Sequence, residues 1–370
     1  MIIGVDAREL EGKPTGVGSY LRNILTRVQL PPGSSLQLYF KKQIPDQLSD
    51  LEAEKILLKS SVNNMHWQQW HLWRALKKNR VKLLFSPANA LPLHFHGVQV
   101  VTVHDLSFFR YPEWFSTKER VSRQLGTSLS LRQADRIYTV SSFIREELIA
   151  RFHVPPSRVL VTPNGVSRKN CDFSLRSILR KSYELENATL VLYVGSIFNR
   201  RHIPVLMEAV SRLDAETVLV VIGENRTFPL QDLGALSREL KIENRVRLLD
   251  YVSDKVVQDY YQMADVFVYL SDYEGFGIPP LEAMSYGVPV ILSATPAMDQ
   301  VFQGAGRFVK AIDSEEVSLA IQQCLADPVQ RERMVEEGRR LVDRYSWEET
   351  ARIISDDWAQ LLAQPAAEHK

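Results

Sequence analysis

Short apolar runs rich in β-branched residues recur from one end of the chain to the other, each followed by a stretch of helical length. They are MIIGVD, LQLYF, VKLLFS, VQVVTV, RIYTVS and RVLVTP in the first half, then TLVLYVGS, TVLVVIGE, RVRLLDYV, DVFVYLS, PVILS and RFVKA. Runs that are apolar throughout, rather than at every second position, suit strands covered on both faces, and strands separated by helices pair in parallel. The pattern predicts an α/β chain built from two doubly wound, Rossmann-like parallel sheets. Length agrees, because 370 residues exceed the roughly 250 to 300 at which one core stops growing. The polar stretch 168–187, RKNCDFSLRSILRKSYELEN, falls between the two series and is the expected linker.

Apolar residues at 45% and charged residues at 24% are the balance of an ordinary globular protein. Cys171 and Cys324, far apart and without a Cys/His cluster around either, are expected to be plain buried or half-buried thiols, which leaves no disulfide framework and no metal site. The N-terminus meets Asp6 and Arg8 before a signal-type apolar core is complete, and no apolar run approaches the ~20 residues of a spanning helix, so the cytoplasm is the expected compartment. The net charge of +1 hides an asymmetry. Residues 1–170 hold 24 Lys and Arg against 13 Asp and Glu, and the remainder 21 against 31, or +11 against −10. A basic first half can be solvated surface, or can face a phosphate-bearing acceptor or the inner face of an anionic membrane.

In open parallel sheets ligands bind beyond the carboxyl ends of strands, and four such places carry chemistry here. After MIIGVDA, the segment PTGVGSYLRNIL sets Gly16 and Gly18 ahead of a helix, where bare N–H groups can approach an anion. In VVTVHDLSFF, His104 and Asp105 close a buried strand, where the imidazole can act as acid, base or hydrogen-bonding group. In YVGSIFNRRHIPVL, Arg200 and Arg201 stand at a helix start, and two fork-shaped donors suit a diphosphate. In LSDYEGFGIPPLEAMSYGVPVI two carboxylates lie eight residues apart, Glu274 in a glycine loop and Glu282 in the helix that Pro279 and Pro280 begin. Each can accept hydrogen bonds from a diol. Glu282 can equally decorate the helix start, where the dipole favours acids. No GxxxxGK[ST] loop occurs, which argues against a P-loop triphosphatase.

These landmarks, with TPNGV at 162–166, resemble glycosyltransferase family 4, the retaining nucleotide-sugar enzymes of GT-B fold, over nearly the whole chain. The resemblance implies two Rossmann-like domains facing a central cleft. The first would span 1–170 plus a C-terminal helix at about 347–364 that crosses back onto it, and the donor domain 185–345. Ser346 is the expected N-cap of that helix, and Ala351, Ile354, Trp358 and Leu361 or Leu362 its apolar stripe. The resemblance assigns the donor diphosphate to Arg200 and Arg201, the ribose to Glu282, and the hexose to Glu274 with the backbone of Gly275, Phe276, Gly277 and Ile278. It further sets Gly16 and Gly18 near the phosphates, His104 against the transferred sugar, and Tyr251 and Val252 beside the base. Arg201 stands where Lys is commoner, and His202 where Asn is. The implied reaction moves a hexose, with GDP-mannose the first donor to try, to a glycan or lipid-linked acceptor of polysaccharide assembly. No metal, cofactor or nucleic acid is expected to take part. The alternatives are a same-fold non-catalytic partner and a nucleotide-sugar epimerase. Finally, MHWQQWHLWRALKKNR offers Trp67, Trp70 and Trp73 with a basic tail. Core packing is the preferred reading of its helical spacing, and peripheral membrane contact the alternative.

Overall fold

Every one of the twelve apolar runs forms a strand, and one further strand joins them. The computed structural model describes residues 1–12, 15–169 and 172–363. Cys171 and the C-terminal PAAEHK lie outside these, and Cys324 is buried. The chain divides into two compact units, Met1–Gly165 together with the chain from Ser346 onward, and Val166–Tyr345.

The first unit holds β1 (Ile2–Asp6), β2 (Ser35–Phe40), β3 (Glu54–Leu57), β4 (Leu83–Ser86), β5 (Val98–Val103), β6 (Arg136–Thr139) and β7 (Val159–Val161), in the sheet order β3-β2-β1-β4-β5-β6-β7. All its pairings are parallel, with Val5 of β1 opposite Leu38 of β2 and Phe85 of β4. β3 was not expected from its sequence. It is a short edge strand, half-exposed and flanked by charge, so it carries none of the apolar continuity of a central strand. The second unit holds β8 (Thr189–Val194), β9 (Thr217–Ile222), β10 (Val246–Leu249), β11 (Val266–Tyr269), β12 (Val290–Ser293) and β13 (Arg307–Val309), ordered β10-β9-β8-β11-β12-β13 and again all parallel. Strand order reverses between β1 and β4 in one sheet and between β8 and β11 in the other. Loops leaving a sheet in opposite directions part at these switch points, and a ligand can enter between them.

The helix Trp347–Ala363 packs within the first unit. Ser346 Oγ accepts from Glu349 N at 3.1 Å, Ala351, Ile354, Trp358 and Leu361 are buried, and Leu362 is half-exposed. Trp358 meets Phe85 of β4 at 5.7 Å between ring centroids. Asp357 accepts from Tyr138 OH at 2.8 Å and pairs with Arg136 Nε at 2.9 Å. Within the expected linker, residues Phe173–Ser182 form a helix of the second unit, whose Arg176 and Arg180 both pair with Asp265. Of the three tryptophans, Trp67 is in the core and donates from Nε1 to Leu58 O at 2.9 Å. Trp73 is half-buried, whereas Trp70 faces solvent, which corrects the expectation that its helical spacing turned it inward. The helix is interrupted by a π-helical segment at Trp67–Leu72, so a 3.6-residue period does not carry over from Trp67 to Trp70.

Candidate active site

At the second switch point, two glycine loops lie against each other. Gly195 after β8 has φ +140° and Gly223 after β9 has φ +153°, and a Cβ on Gly223 would stand 2.0 Å from Gly195 O. Only residues without a Cβ allow that approach. Ile197 N donates to Glu224 O and Arg226 N to Ile197 O, which knits the loops as far as the 3-10 turn Asn199–Arg201. His202, left-handed at φ 50°, then starts the helix Ile203–Ser211. Its Nε2 lies 2.8 Å from Asp272 Oδ1.

The two residues expected to hold different parts of a donor hold one another. Arg201, 8% exposed, donates to both carboxylate oxygens of Glu274, 7% exposed, with its second nitrogen 3.2 Å from Oε2. Glu274 Oε1 also accepts from Ser271 Oγ at 2.6 Å, and the Arg201 guanidinium lies 4.4 Å from the centroid of Tyr269. Tyr269 in turn stacks on Tyr193, and burial pushes both phenols up in pKa. The pair therefore ties the carboxyl end of β8 to that of β11 across the switch point. Arg200, half-buried, places its guanidinium 5.1 Å from the Phe198 ring, and its carbonyl accepts from Asp272 N at 3.2 Å.

Past Glu274 the loop buries Phe276 against Tyr345 and turns at Gly277 into the helix Ile278–Ser285. Gly277 has φ +99°, and a Cβ there would lie 3.1 Å from Met298 Cε and from the Phe302 ring. Glu282 does more than decorate the helix start. It is half-buried and accepts from Tyr261 OH at 3.1 Å, and Tyr261 stacks on Tyr286 at 5.4 Å. Burial raises its pKa to about 7, against the opposing hydrogen bond from Tyr261. Tyr251, exposed, and Val252, half-exposed, follow β10 at the same edge of the sheet.

In the first unit, Gly16 and Gly18 open the helix Gly16–Leu25 and part company. Gly18 is buried, gives its N–H to Thr15 Oγ1 at 2.9 Å, and could not carry a Cβ, which would sit 2.4 Å from Glu9 O. Packing within the unit accounts for it. Gly16 is exposed, and a Cβ there would meet no atom of the described residues within 4 Å. His104 Nε2 lies 2.8 Å from Pro87 O and, facing a carbonyl, must be the donor, which leaves Nδ1 as the ring's acceptor. Burial lowers the His104 pKa below the ordinary 6.5, so the ring is neutral near pH 7, and Tyr20 meets it edge-on at 4.9 Å. Asp105 supports the next turn by accepting from Ser107 N and Oγ.

Tyr261, Tyr269 and Ser271 escaped the sequence reading. Ser271 stands three residues before Glu274 and was open to inspection. Tyr269 lies two residues before Ser271, but only tertiary packing brings its ring to the Arg201 guanidinium and Tyr261 to the Glu282 carboxylate.

Two doubly wound parallel sheets of seven and six strands are the architecture of a GT-B glycosyltransferase. The family model for Glycosyl transferases group 1 matches residues 176–341, and that for Glycosyltransferase Family 4 matches residues 38–169. The chain belongs to glycosyltransferase family 4. It is 36% identical to the O-antigen chain mannosyltransferase B of Escherichia coli, over 90% of this chain and 93% of the relative. It is 28% identical to the O-antigen chain mannosyltransferase RfbU of Salmonella typhimurium, over 71% of each. Among solved structures, Anabaena HepE in complex with UDP and glucose shares the fold with a TM-score of 0.78 and 18% identity, over 97% of this chain and 99% of that one. WaaG, a glycosyltransferase involved in lipopolysaccharide biosynthesis, does so at 0.76 and 19%, over 96% and 99%.

Proposed function

We propose that this glycosyltransferase moves mannose, with retention of configuration, from GDP-mannose to a glycan or lipid-linked acceptor of polysaccharide assembly. The observation that carries the reading is the Arg201–Glu274 pair across the β8/β11 switch point, with Arg200 beside it and Glu282 on the following helix. Relatives named as mannosyltransferases support the choice of sugar.

In this reading Arg200 faces the diphosphate, Arg201 fixes the Glu274 loop beside it, Glu282 accepts from the ribose hydroxyls, and the loop Glu274 to Ile278 holds the hexose. Tyr251 and Val252 border the base. The acceptor oxygen bonds to the anomeric carbon on the face the diphosphate leaves. The carbon–oxygen bond to the diphosphate breaks, and the acceptor proton passes to a diphosphate oxygen. No side chain acts as nucleophile: Glu274 is taken up by Arg201 and Ser271, which also argues against a glycosidase pair. The protein's contribution is fixed positive charge where the leaving group gains negative charge, so no metal is required. The enzyme works in the cytoplasm, and its basic first unit contacts the inner face of the membrane.

Incubation with GDP-, UDP- and ADP-sugars in EDTA tests this by nucleotide diphosphate release. Release from GDP-mannose with an α-linked product supports the reading. Strict dependence on added magnesium or manganese, or preference for another donor, would remove the corresponding part of it.

A further inference from the structure

The first unit exposes two helical segments that combine apolar side chains with positive charge. In Asn64–His66 and the π-helical Trp67–Leu72, Met65 is 43% and Trp70 46% exposed. In the helix Thr117–Gln133, Val121 is 51% and Leu125 52% exposed. Residues 64–80 carry four Lys and Arg with no Asp or Glu, and 117–133 carry four against Glu119 alone. Glu119 is itself paired with Arg123 at 2.8 Å. The cations lie over the aromatic rings, Arg74 4.1 Å from the centroid of Trp70, Lys77 5.8 Å from Trp73 and Arg123 5.6 Å from Phe115.

Topology sets both segments on one face. The β3-to-β4 and β5-to-β6 connections step the same way along the sheet, and right-handed crossovers put their helices on the same side. The segment between β4 and β5 joins them. Leu91 O accepts from Gln69 and His94 O from Trp73 Nε1, while Leu91 N donates to Ser130 Oγ and Leu93 O accepts from Gln133. Each helix begins at the carboxyl edge of the sheet, so the exposed apolar residues lie toward the edge that carries Gly16 and His104.

We infer that this face docks on an anionic lipid bilayer, with Trp70, Val121 and Leu125 entering the headgroup region and the surrounding Lys and Arg meeting lipid phosphates. The inference deepens the membrane contact of the proposed function and rests on that reading for its consequence, that the acceptor is lipid-borne. A tryptophan under an arginine suits a headgroup layer, where an apolar body and a charged tip are both satisfied. A nucleic-acid backbone would use the cations but leave the exposed aliphatic pair without a role.

The test is sedimentation of the full chain with phosphatidylcholine vesicles, with or without phosphatidylglycerol. It compares the wild type with the doubly substituted V121E/L125E and R74E/K77E, and measures GDP-mannose binding without lipid in parallel. All four substituted positions are exposed, and circular dichroism reports folding. The wild type is expected to sediment only with the anionic vesicles and to be released near ~1 M NaCl. Each variant should partition at least about tenfold less and bind GDP-mannose as before. Absence of anionic-vesicle binding, equal binding to neutral vesicles, or undiminished binding by both variants would overturn the inference. So would RNA binding tighter than vesicle binding and lost in the same variants. Anionic-vesicle binding by a protein that ignores every nucleotide sugar would uphold the docking face and count against the proposed function instead.

Discussion

Glu274 and Arg201 are each under a tenth exposed, so each is tolerable mainly because of the other. Removing one charge strands its partner in a site that water barely reaches, a cost of about 3–5 kcal/mol. Glu274→Gln is therefore expected to lower unfolding free energy by about that amount in chemical denaturation; a loss below about 1 kcal/mol would mean that the pair is solvated. Glu282 makes a different prediction. Its carboxyl titrates at about 7 instead of the ordinary 4.5, so the folded chain binds this proton more tightly than the unfolded one, and ionising it costs stability as pH rises through that window. Ribose hydroxyls donate to the ionised form. GDP-mannose affinity should then hold steady above about pH 8 and weaken toward about tenfold per unit below pH 6. Glu282→Gln should flatten that profile, and an unchanged profile in the variant would take ribose binding away from Glu282.

At the scale of elements, the turn into Ile278–Ser285 aims the Glu274 loop, and Gly277 makes it possible. Gly277→Ala meets both a left-handed backbone and a crowded wall of Met298 and Phe302. It should cost about 1–3 kcal/mol and weaken GDP-mannose binding as the loop shifts. Gly304→Ala is the control, because it shares the positive φ, at +84°, but meets no atom within 4 Å. It should cost stability without touching the donor, and equal effects on binding in the two variants would contradict the argument. Elements were also where the sequence was most legible. Buried central strands such as TVLVVI announce themselves through continuous apolar runs, and β3 did not because an edge strand needs no such run. Trp70 was misread because a π-helical segment breaks the period on which the reading relied.

For the whole molecule, the chemistry-bearing residues at strand ends were legible because parallel sheets deliver them to one edge, as they do with Arg201 after β8 and Glu274 after β11. What they do to each other was not, since a pairing 73 residues apart in sequence leaves no local pattern. The same limit hid Tyr261 beneath Glu282 and the packing role of Gly18. The central claim is that the β8/β11 switch point holds a nucleoside diphosphate through its arginines. Calorimetric titration of GDP-mannose into the wild type and into Arg200→Ala, both shown folded by thermal unfolding, tests it most directly. The account predicts binding weakened at least about tenfold in the variant, as the loss of a charge-assisted phosphate contact requires. Equal affinity in the two proteins would contradict it.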